Sequence, residues 1–457
     1  MSDNLLRLTK LEMTHFRCFR KMDKPIEFDP NLTVFVAKNG CGKTAVLDAI
    51  RISLGTFTRG VSSLSQANIQ KADATFLPVC VGKGKGSSYP VVIRAWGLIA
   101  SHESEWLRSL ESEKGRTTSK EAKAITDFGL SLRDVVASER DNPELPIVAY
   151  YGTGRLWKAM EIPKGEMPIQ HDFARESALA GYVDALTANS SYAQVKGWMS
   201  YASLVRANPV ECDTSAGQAI AAQYSAIEKA VDELLMGTGF RTPHYNISIG
   251  DVALIEDRGD SDEAIVVPVS LTSDGIKAAF SLVADIAYRC VRLNPLYGAD
   301  ACKLTQGVVM IDEVDLFLHP SWQQRILPDL RRIFPKIQFI VTTHSPQVIS
   351  SISKECIRII AEDGRVEGVS AWTEGVESSR ILKDVFGADP YATRTLNNLR
   401  QRVDAFVNAV NAGRWNDPDV KEEGEKLGEM YTGVDSNFDM ARFRIEEEEW
   451  ERDHASN

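Results

Sequence analysis

The chain has 457 residues, of which 44% are hydrophobic and 25% are charged, an ordinary globular composition with room for two or three domains. Its formal net charge of −11 disfavours a protein that coats DNA non-specifically. No apolar run is long enough for a membrane span, residues 1–4 do not begin a secretion signal, and the seven cysteines lack C-x-x-C spacing, so we expect a cytoplasmic protein with reduced thiols and no membrane association.

Strand patterns open the chain and lead to a phosphate-binding loop. Apolar residues alternate through residues 5–36, and the last of these runs is followed by the string A-K-N-G-C-G-K-T over residues 37–44. An apolar pattern at i, i+4 and i+8 comes next and predicts a helix that ends at Gly55. A strand, a tight loop and a helix N-terminus in this order bind phosphates through backbone N–H groups and the helix dipole.

The residues of this loop predict a site for ATP and Mg²⁺. Lys43 would reach the β- and γ-phosphates, and the Thr44 hydroxyl would hold the metal ion. Ala37 stands where the G-x-x-x-x-G-K-[ST] pattern has its first glycine, and this small residue predicts a functional loop with altered entry geometry. The predicted nucleotide-binding residues of the loop are Asn39, Gly40, Cys41, Gly42, Lys43 and Thr44.

A turn with the sequence T-H-F-R-C-F, residues 14–19, precedes the loop. The stretch from Leu5 to Lys43 resembles the opening of RecF, SMC and OLD-type ATPases, where such a turn is followed by a strand and the phosphate-binding loop. In those families an arginine near the turn approaches the nucleotide. The resemblance therefore makes Arg17 a nucleotide-binding candidate, and an exposed turn arginine is an equal alternative.

Weaker sequence patterns predict the secondary structure of the middle of the chain. Residues 61–100 predict further strands with a basic hairpin tip at residues 82–86, and residues 101–142 predict a surface insertion with helical stretches. Residues 156–240 predict helices without a heptad repeat, so long SMC-like arms are not expected. Strands are expected again over residues 245–249 and 264–270.

A predicted strand over residues 145–151 leads into the turn G-T-G-R, residues 152–155. Its placement resembles the Q-loop of ABC-type ATPases, although no glutamine stands here. Either Thr153 or Arg155 contacts the nucleotide, or the turn only joins two lobes. The string Y-Y-G-T-G-R-L-W resembles a group of bacterial stand-alone ATPases related to the defence-system subunit PtuA.

The string L-T-S-D-G-I-K, residues 271–277, follows a strand and opens a predicted helix. It resembles the ABC signature L-S-G-G-Q, with Ser273 and Gly275 retained. A small-residue turn at a helix N-terminus can bind phosphate, so both residues are nucleotide-binding candidates. The string also fits an ordinary Ser-Asp helix cap, which stays an alternative.

Two acidic residues and a histidine end two further predicted strands. The string G-V-V-M-I-D-E, residues 307–313, predicts a strand buried on both faces with two carboxylates at its end. Asp312 would hold Mg²⁺, and Glu313 would position or deprotonate the attacking water. The string T-T-H-S-P resembles the ABC switch motif, in which His344 would polarise the γ-phosphate as a catalytic residue.

These motifs predict an α/β fold: a P-loop ABC-type ATPase head with an inserted, mostly helical lobe and a helical C-terminal tail. The head comprises residues 1–100 and 264–375, the lobe residues 101–263 and the tail residues 376–457. Residues 421–457 carry twelve Asp/Glu and five Lys/Arg, a net charge of −7, with aromatic residues among them. This combination predicts a segment that docks a basic partner.

The resemblance also implies an assembly and a function. In ABC-type ATPases the signature of one protomer caps ATP bound by another, so one set of motifs implies a head-to-tail homodimer within a larger homo-oligomer. The chain most resembles the RecF/OLD-like branch and PtuA of the Septu antiphage system, which implies an ATPase that regulates a partner HNH-type nuclease and meets DNA through it. The alternatives are a RecF/SMC-like DNA-repair clamp and a self-contained OLD-type nuclease.

Overall fold

The computed structural model describes residues 5–62, 67–77, 86–138, 142–155, 177–188, 192–257, 265–387, 394–431 and 436–454. The strands are β1 (Leu6–Phe16), β2 (Phe19–Lys21), β3 (Ile26–Glu27), β4 (Leu32–Ala37), β5 (Phe76–Leu77), β6 (Gly86–Ser87), β7 (Val91–Ile99), β8 (His102–Leu110), β9 (Ile147–Tyr151), β10 (Phe240–Asn246), β11 (Asp251–Glu256), β12 (Ile265–Pro268), β13 (Gly307–Ile311), β14 (Ile337–Thr342), β15 (Ile357–Ile360) and β16 (Val366–Gly368). The helices are α1 (Lys43–Ser62), α2 (Lys123–Ala137), α3 (Tyr192–Ala207), α4 (Pro209–Cys212), α5 (Ser215–Leu235), α6 (Asp274–Leu293), α7 (Ala301–Leu304), α8 (Pro320–Gln323), α9 (Ile326–Ile333), α10 (Pro346–Ile349), α11 (Ser378–Asp384), α12 (Arg394–Asn411), α13 (Pro418–Tyr431) and α14 (Ser436–His454).

A mostly parallel sheet carries the predicted motifs. Its strand order is β16-β15-β4-β14-β13-β9, and only the edge strand β16 runs antiparallel to its neighbour. β4, β9, β13 and β14 are buried along their whole length, as is typical of mainly apolar parallel strands that are covered on both faces. The loops that follow β4, β13 and β14 therefore leave the sheet at one edge, where ligand sites of α/β folds lie. The predicted α/β class is confirmed.

A second, antiparallel sheet has the order β2-β1-β7-β8, with β3 also paired to β1. β8 pairs with β7 from Val91↔Leu110 to Ile99↔His102. The prediction of a surface insertion is therefore wrong for residues 102–110, which form the edge strand of this sheet. The sequence misled because the first half of β8 is exposed and acidic, and only its second half is buried.

Helix α1 contacts strands of both sheets and continues past the predicted end at Gly55 to Ser62. Gly55 and Gly60 lie within this helix, and their lack of a side chain allows the backbone of neighbouring segments to approach closely. A Cβ added at Gly60 would lie 2.6 Å from the Thr126 carbonyl oxygen of α2. These glycines are packing residues, and the strand predicted from residue 61 onward begins later.

The region between the sheet motifs holds α3, α4, α5 and a three-stranded sheet of order β10-β11-β12. The strand predicted over residues 245–249 is wrong beyond Asn246, because the Asn246 side chain accepts hydrogen bonds from the N–H groups of Ser248 and Ile249 and closes a turn there. β11 follows this turn and was not predicted. Residues 82–85 of the predicted hairpin tip lie outside the described residues.

The chain divides into two compact units, Met1–Ile381 and Leu382–Asn457. The second unit contains α12, α13 and α14 around a core that includes Phe406 and Phe438, whose ring centroids are 5.4 Å apart. α12 ends at Asn411, two residues before Gly413. The domain boundaries predicted from the sequence stay a prediction. Within the described residues, no helix combines the length and the hydropathy that a membrane span needs.

Candidate nucleotide-binding site

The loop of residues 38–42 connects the end of β4 to the start of α1, as the sequence pattern predicts. Gly40 and Gly42 have φ angles of 82° and 102°, which favour glycine. A Cβ added at Gly42 would lie 2.4 Å from Cys18 Sγ and 2.9 Å from the Phe19 ring. The turn before β2 therefore packs directly against the loop, and this contact leaves no room for a side chain at Gly42.

Lys43 is the first residue of α1 and is almost fully buried, with 7% of its surface exposed. Its Nζ donates to the carbonyl oxygen of Ala37 at 3.1 Å. Burial lowers the pKa of Lys43, although the nearby carboxylates of Glu313 and Asp312 act in the opposite direction. The ammonium group thus lies over the loop and within electrostatic reach of the acidic pair.

Thr44 and Asp312 come together although 268 residues separate them. Thr44 Oγ1 donates to Asp312 Oδ2 at 2.9 Å, and Thr342 Oγ1 donates to Asp312 Oδ1 at 2.6 Å. The Asp312 side chain is 3% exposed. A hydroxyl and a carboxylate side by side at the carboxyl edge of a parallel sheet form an oxygen donor set that suits a hard divalent cation. The sequence analysis missed Thr342, which orients this carboxylate.

Glu313 adopts a strained backbone conformation with a φ of 47°. Its N–H donates to Thr342 Oγ1 at 2.8 Å, which helps to fix the residue in this region. A non-glycine residue in the left-handed region costs about 1–3 kcal/mol, and such strain is concentrated at functional sites. The conformation therefore supports a role for Glu313 beyond packing.

His344 follows β14 and is half-buried. Burial lowers the pKa of His344, and the Lys43 ammonium lowers it further, while Glu313, Asp315 and Asp312 oppose the shift. The ring is therefore mostly neutral at pH 7, with one nitrogen able to donate a hydrogen bond. These electrostatic couplings place His344 in the same site as Lys43 and the acidic pair.

The predicted signature lies at the exposed N-terminus of α6. Ser273 is the N-cap, and its Oγ accepts a hydrogen bond from the Ile276 N–H at 3.4 Å. A Cβ added at Gly275 would lie 3.0 Å from the Phe317 carbonyl oxygen, in the loop that follows the acidic pair. The helix cap that the sequence analysis kept as an alternative is therefore present. Ser273 is exposed, so a nucleotide bound by a second molecule could still reach it.

Arg17 is held by two carboxylates that the sequence analysis did not identify. Its Nη1 lies 2.7 Å from Asp48 Oδ2, and its Nε lies 2.8 Å from Asp73 Oδ1. Burial acts to lower the pKa of Arg17, but Asp48 and Asp73 outweigh it and the pKa is raised. One-third of the side chain remains exposed. The predicted contact of Arg17 with the nucleotide stays a prediction.

The structure of the turn after β9 is compatible with both interpretations from the sequence, a nucleotide contact or a simple connection between two lobes. Thr153 is exposed and begins a short 3₁₀ turn, while the Arg155 side chain lies outside what the structure describes. A Cβ added at Gly152 would lie 2.7 Å from Ala188 Cβ. This glycine therefore allows the segment of residues 178–188 to pack against β9.

Two family models and several curated proteins match this chain. A family model described as an AAA domain matches residues 10–233, and a second AAA-domain model matches residues 206–350. The Retron Ec83 probable ATPase of Escherichia coli is 23% identical over 495 residues, covering 98% of this chain and 88% of that protein. The Septu protein PtuA of Bacillus thuringiensis is 38% identical over 91 residues, covering 18% of this chain and 23% of that protein.

A solved structure of an SMC head bound to the C-terminal winged-helix domain of ScpA aligns with a TM-score of 0.48 and 16% identity, covering 80% of this chain and 98% of that chain. Because this score is below 0.5, the fold assignment rests on the strand order and on the positions of the motifs. The two AAA-domain models, the match along nearly the whole retron ATPase and the P-loop at the edge of a parallel sheet agree with one another. The chain is an ATPase that matches two AAA-domain models and is similar to retron ATPases and to PtuA.

Proposed function

We propose that this ATPase works in antiphage defence and regulates a partner HNH-type nuclease through its nucleotide state. The observation that carries the proposal is the joint similarity to a retron ATPase along 98% of the chain and to PtuA over 91 residues. The resemblance to PtuA of the Septu system supplies the nuclease partner. DNA would then be contacted through the partner, which agrees with the net charge of −11 on this chain.

The proposed hydrolysis uses the residues gathered at the sheet edge. Lys43 binds the β- and γ-phosphates, and Thr44 and Asp312 hold Mg²⁺, which would neutralise phosphate charge when bound. Glu313 orients the attacking water and accepts its proton. His344, neutral at pH 7, donates a hydrogen bond to the γ-phosphate and responds to its loss.

Each ATP is proposed to lie between two protomers in a head-to-tail dimer. Ser273 is exposed at the start of α6, and the neighbouring apolar residues Leu271 and Phe317 are 76% and 40% exposed. Exposed apolar side chains beside a phosphate-binding helix N-terminus suit a surface that becomes buried in an assembly. A second copy of the chain would bring its P-loop to this surface, and the two sites would be equivalent by symmetry.

The C-terminal unit is proposed to dock the nuclease through one face of α14. Met440, Phe443 and Trp450 are 62%, 71% and 62% exposed. Their spacings of three and seven residues place them on one face, away from the buried Phe438. Glu447 is also exposed and lies four residues after Phe443 and three before Trp450, on the same face of the helix. This apolar and acidic stripe suits a partner surface with basic and apolar groups.

The docking proposal is tested by changing the stripe without disturbing the core of the unit. A chain that ends near Gly413 would remove α13 and α14 and leave Phe406 without its packing partner Phe438, so point variants are the sharper test. We expect Phe443→Ser/Trp450→Ser to lose co-purification with the proposed HNH-type nuclease partner, co-expressed with this chain, while ATP hydrolysis is retained. The loss of two central apolar anchors should weaken binding at least about 30-fold.

The matched control is Trp372→Ser, which removes an equally exposed tryptophan, 67% accessible, from the first unit. This variant should keep both nuclease binding and ATP hydrolysis. Undiminished nuclease binding by Phe443→Ser/Trp450→Ser would show that the stripe is not the docking surface.

A further inference from the structure

Tyr151 lies where the nucleotide edge of the sheet meets helix α6. It is the last residue of β9, and its carbonyl oxygen accepts a hydrogen bond from the Asp312 N–H at 2.8 Å. Its hydroxyl donates to Asp285 Oδ2, on α6, at 2.6 Å. One residue thus holds the backbone of the acidic pair on one side and the signature helix on the other.

Arg289 ties the same helix to a third segment. Its Nε donates to Asp285 Oδ2 at 3.0 Å, and its Nη1 donates to the carbonyl oxygens of Gly181 and Val183 at 2.8 Å and 3.0 Å. That segment also accepts a hydrogen bond from the Tyr150 N–H of β9 at 2.7 Å. β9, the intervening segment and α6 are therefore joined by polar contacts as one block.

This polar cluster is buried almost completely. Tyr151, Asp285 and Arg289 are 1%, 0% and 2% exposed. Burial raises the pKa of Tyr151 and the Asp285 carboxylate raises it further, so the hydroxyl keeps its proton and donates. Burial would lower the pKa of Arg289, but Asp285 outweighs it and the pKa is raised. Buried ion pairs add little net stability, so a role in fixing one arrangement explains the cluster better.

A small change in the direction of α6 at the cluster would displace the signature at the start of the helix. Ser273 caps the helix twelve residues before Asp285, which corresponds to about 18 Å along the axis. A tilt of about 10° at Asp285 would move Ser273 by about 3 Å. A hydrogen bond to a phosphate oxygen does not survive such a displacement.

We propose that the Tyr151–Asp285–Arg289 cluster positions the signature of each chain relative to its own acidic pair, and so couples the two shared ATP sites of the dimer. The inference rests on the shared-site arrangement of the proposed function. Within one chain, the acidic pair serves one ATP and Ser273 serves the other. The cluster connects these two half-sites within a single chain. Tyr151, Asp285 and Arg289 are therefore positioning residues.

The test compares two buried tyrosine hydroxyls in the full-length protein. Tyr151→Phe removes the hydrogen bond to α6, whereas the control Tyr182→Phe removes a hydrogen bond of 2.8 Å from an equally buried hydroxyl to the Pro146 carbonyl oxygen. We expect Tyr151→Phe to lower kcat about tenfold or more, as displaced catalytic groups do. Its Kd for a fluorescent ATP analogue should stay unchanged, because the P-loop is untouched. Tyr182→Phe should keep both values.

Thermal unfolding separates positioning from stability. Both variants lose one buried hydrogen bond and should lower Tm to a similar extent, so only kcat distinguishes them. Equal kcat values for the two variants, or kcat losses that follow the Tm losses, would overturn the coupling role. Arg289→Lys provides a second variant if Tyr151→Phe does not fold, because it keeps a positive charge beside Asp285 but lacks the guanidinium that donates to the carbonyl oxygens of Gly181 and Val183. The same kcat loss at unchanged Kd is expected.

Subunit mixing distinguishes the coupling role of the cluster from the shared ATP site itself. If mixed P-loop and signature variants regain activity while Tyr151→Phe behaves like Tyr182→Phe, the shared site stands and the coupling role is wrong. If mixing restores no activity, the shared site itself is wrong and the coupling role falls with it.

Discussion

Glu313 lies at the end of β13 and has a strained backbone, whereas the adjacent Asp312 does not have a positive φ. It follows Asp312 at the end of β13, and its φ of 47° turns it away from the path of the strand. Asp312 is engaged by the hydroxyls of Thr44 and Thr342. Two adjacent carboxylates with such different surroundings suit different tasks, one at the metal and one at the water.

Glu313→Gln should bind MgATP and hydrolyse it at least about 100-fold more slowly, because a neutral amide cannot accept the proton of the attacking water. The ATP-bound dimer should accumulate and be visible by size-exclusion chromatography with light scattering. Lys43→Ala provides the contrast, since loss of the phosphate counter-charge should weaken ATP binding itself. Undiminished turnover by purified Glu313→Gln would exclude Glu313 as the base.

The positions of single candidate residues were predictable where the relevant contacts are local, whereas their roles stay predictions. The order of residues in the P-loop, the acidic pair and the T-T-H-S string could be interpreted because each follows its own strand directly. Arg17 differs, because its partners Asp48 and Asp73 lie 31 and 56 residues away and stand in no motif. A sequence pattern contains no signal for such a pairing, so only the structure could supply it.

Secondary-structure elements were predictable where burial is uniform along them. β4, β13 and β14 have all residues buried, and each stands out as an apolar run. β8 is half exposed, and the turn at Asn246 interrupts a run of strand-like residues, so both were misassigned. The extent of α1 depended on a packing contact at Gly60 that its own sequence does not show.

Gly60→Ala should destabilise the contact between α1 and α2, because the added Cβ would lie 2.6 Å from the Thr126 carbonyl oxygen and 3.2 Å from the Leu130 nitrogen. We expect the free energy of unfolding to fall by about 1–3 kcal/mol, the usual cost of overpacking. The Kd for ATP should stay unchanged, because the phosphate-binding end of α1 lies at Lys43. Urea denaturation measures the first quantity and nucleotide titration the second.

Gly368→Ala is the matched control for this prediction. Nothing lies within 4 Å of a Cβ added at Gly368 in the edge strand β16, so its unfolding free energy should change little. Equal stabilities of the two variants would mean that α1 and α2 separate enough to admit a side chain.

The whole molecule separates nucleotide chemistry from the proposed docking surface. The P-loop, the acidic pair, His344 and the signature all lie in the first unit, and the α14 stripe lies in the second. Under the proposed function, a signal from the nucleotide to the nuclease would have to pass from the first unit to the second. Changes at the α14 stripe should affect nuclease binding, while changes at the sheet edge should affect hydrolysis.

Subunit mixing tests whether two chains share each ATP site. Lys43→Ala should inactivate the P-loop half of the site and Ser273→Arg the signature half, so each variant alone should be inactive. Random mixing makes half of the dimers mixed, and each mixed dimer has one site with both halves intact, so up to about a quarter of wild-type turnover should return. Subunit exchange is followed by energy transfer between labelled chains. Exchange without any recovered ATP hydrolysis would exclude ATP sites that are shared between chains.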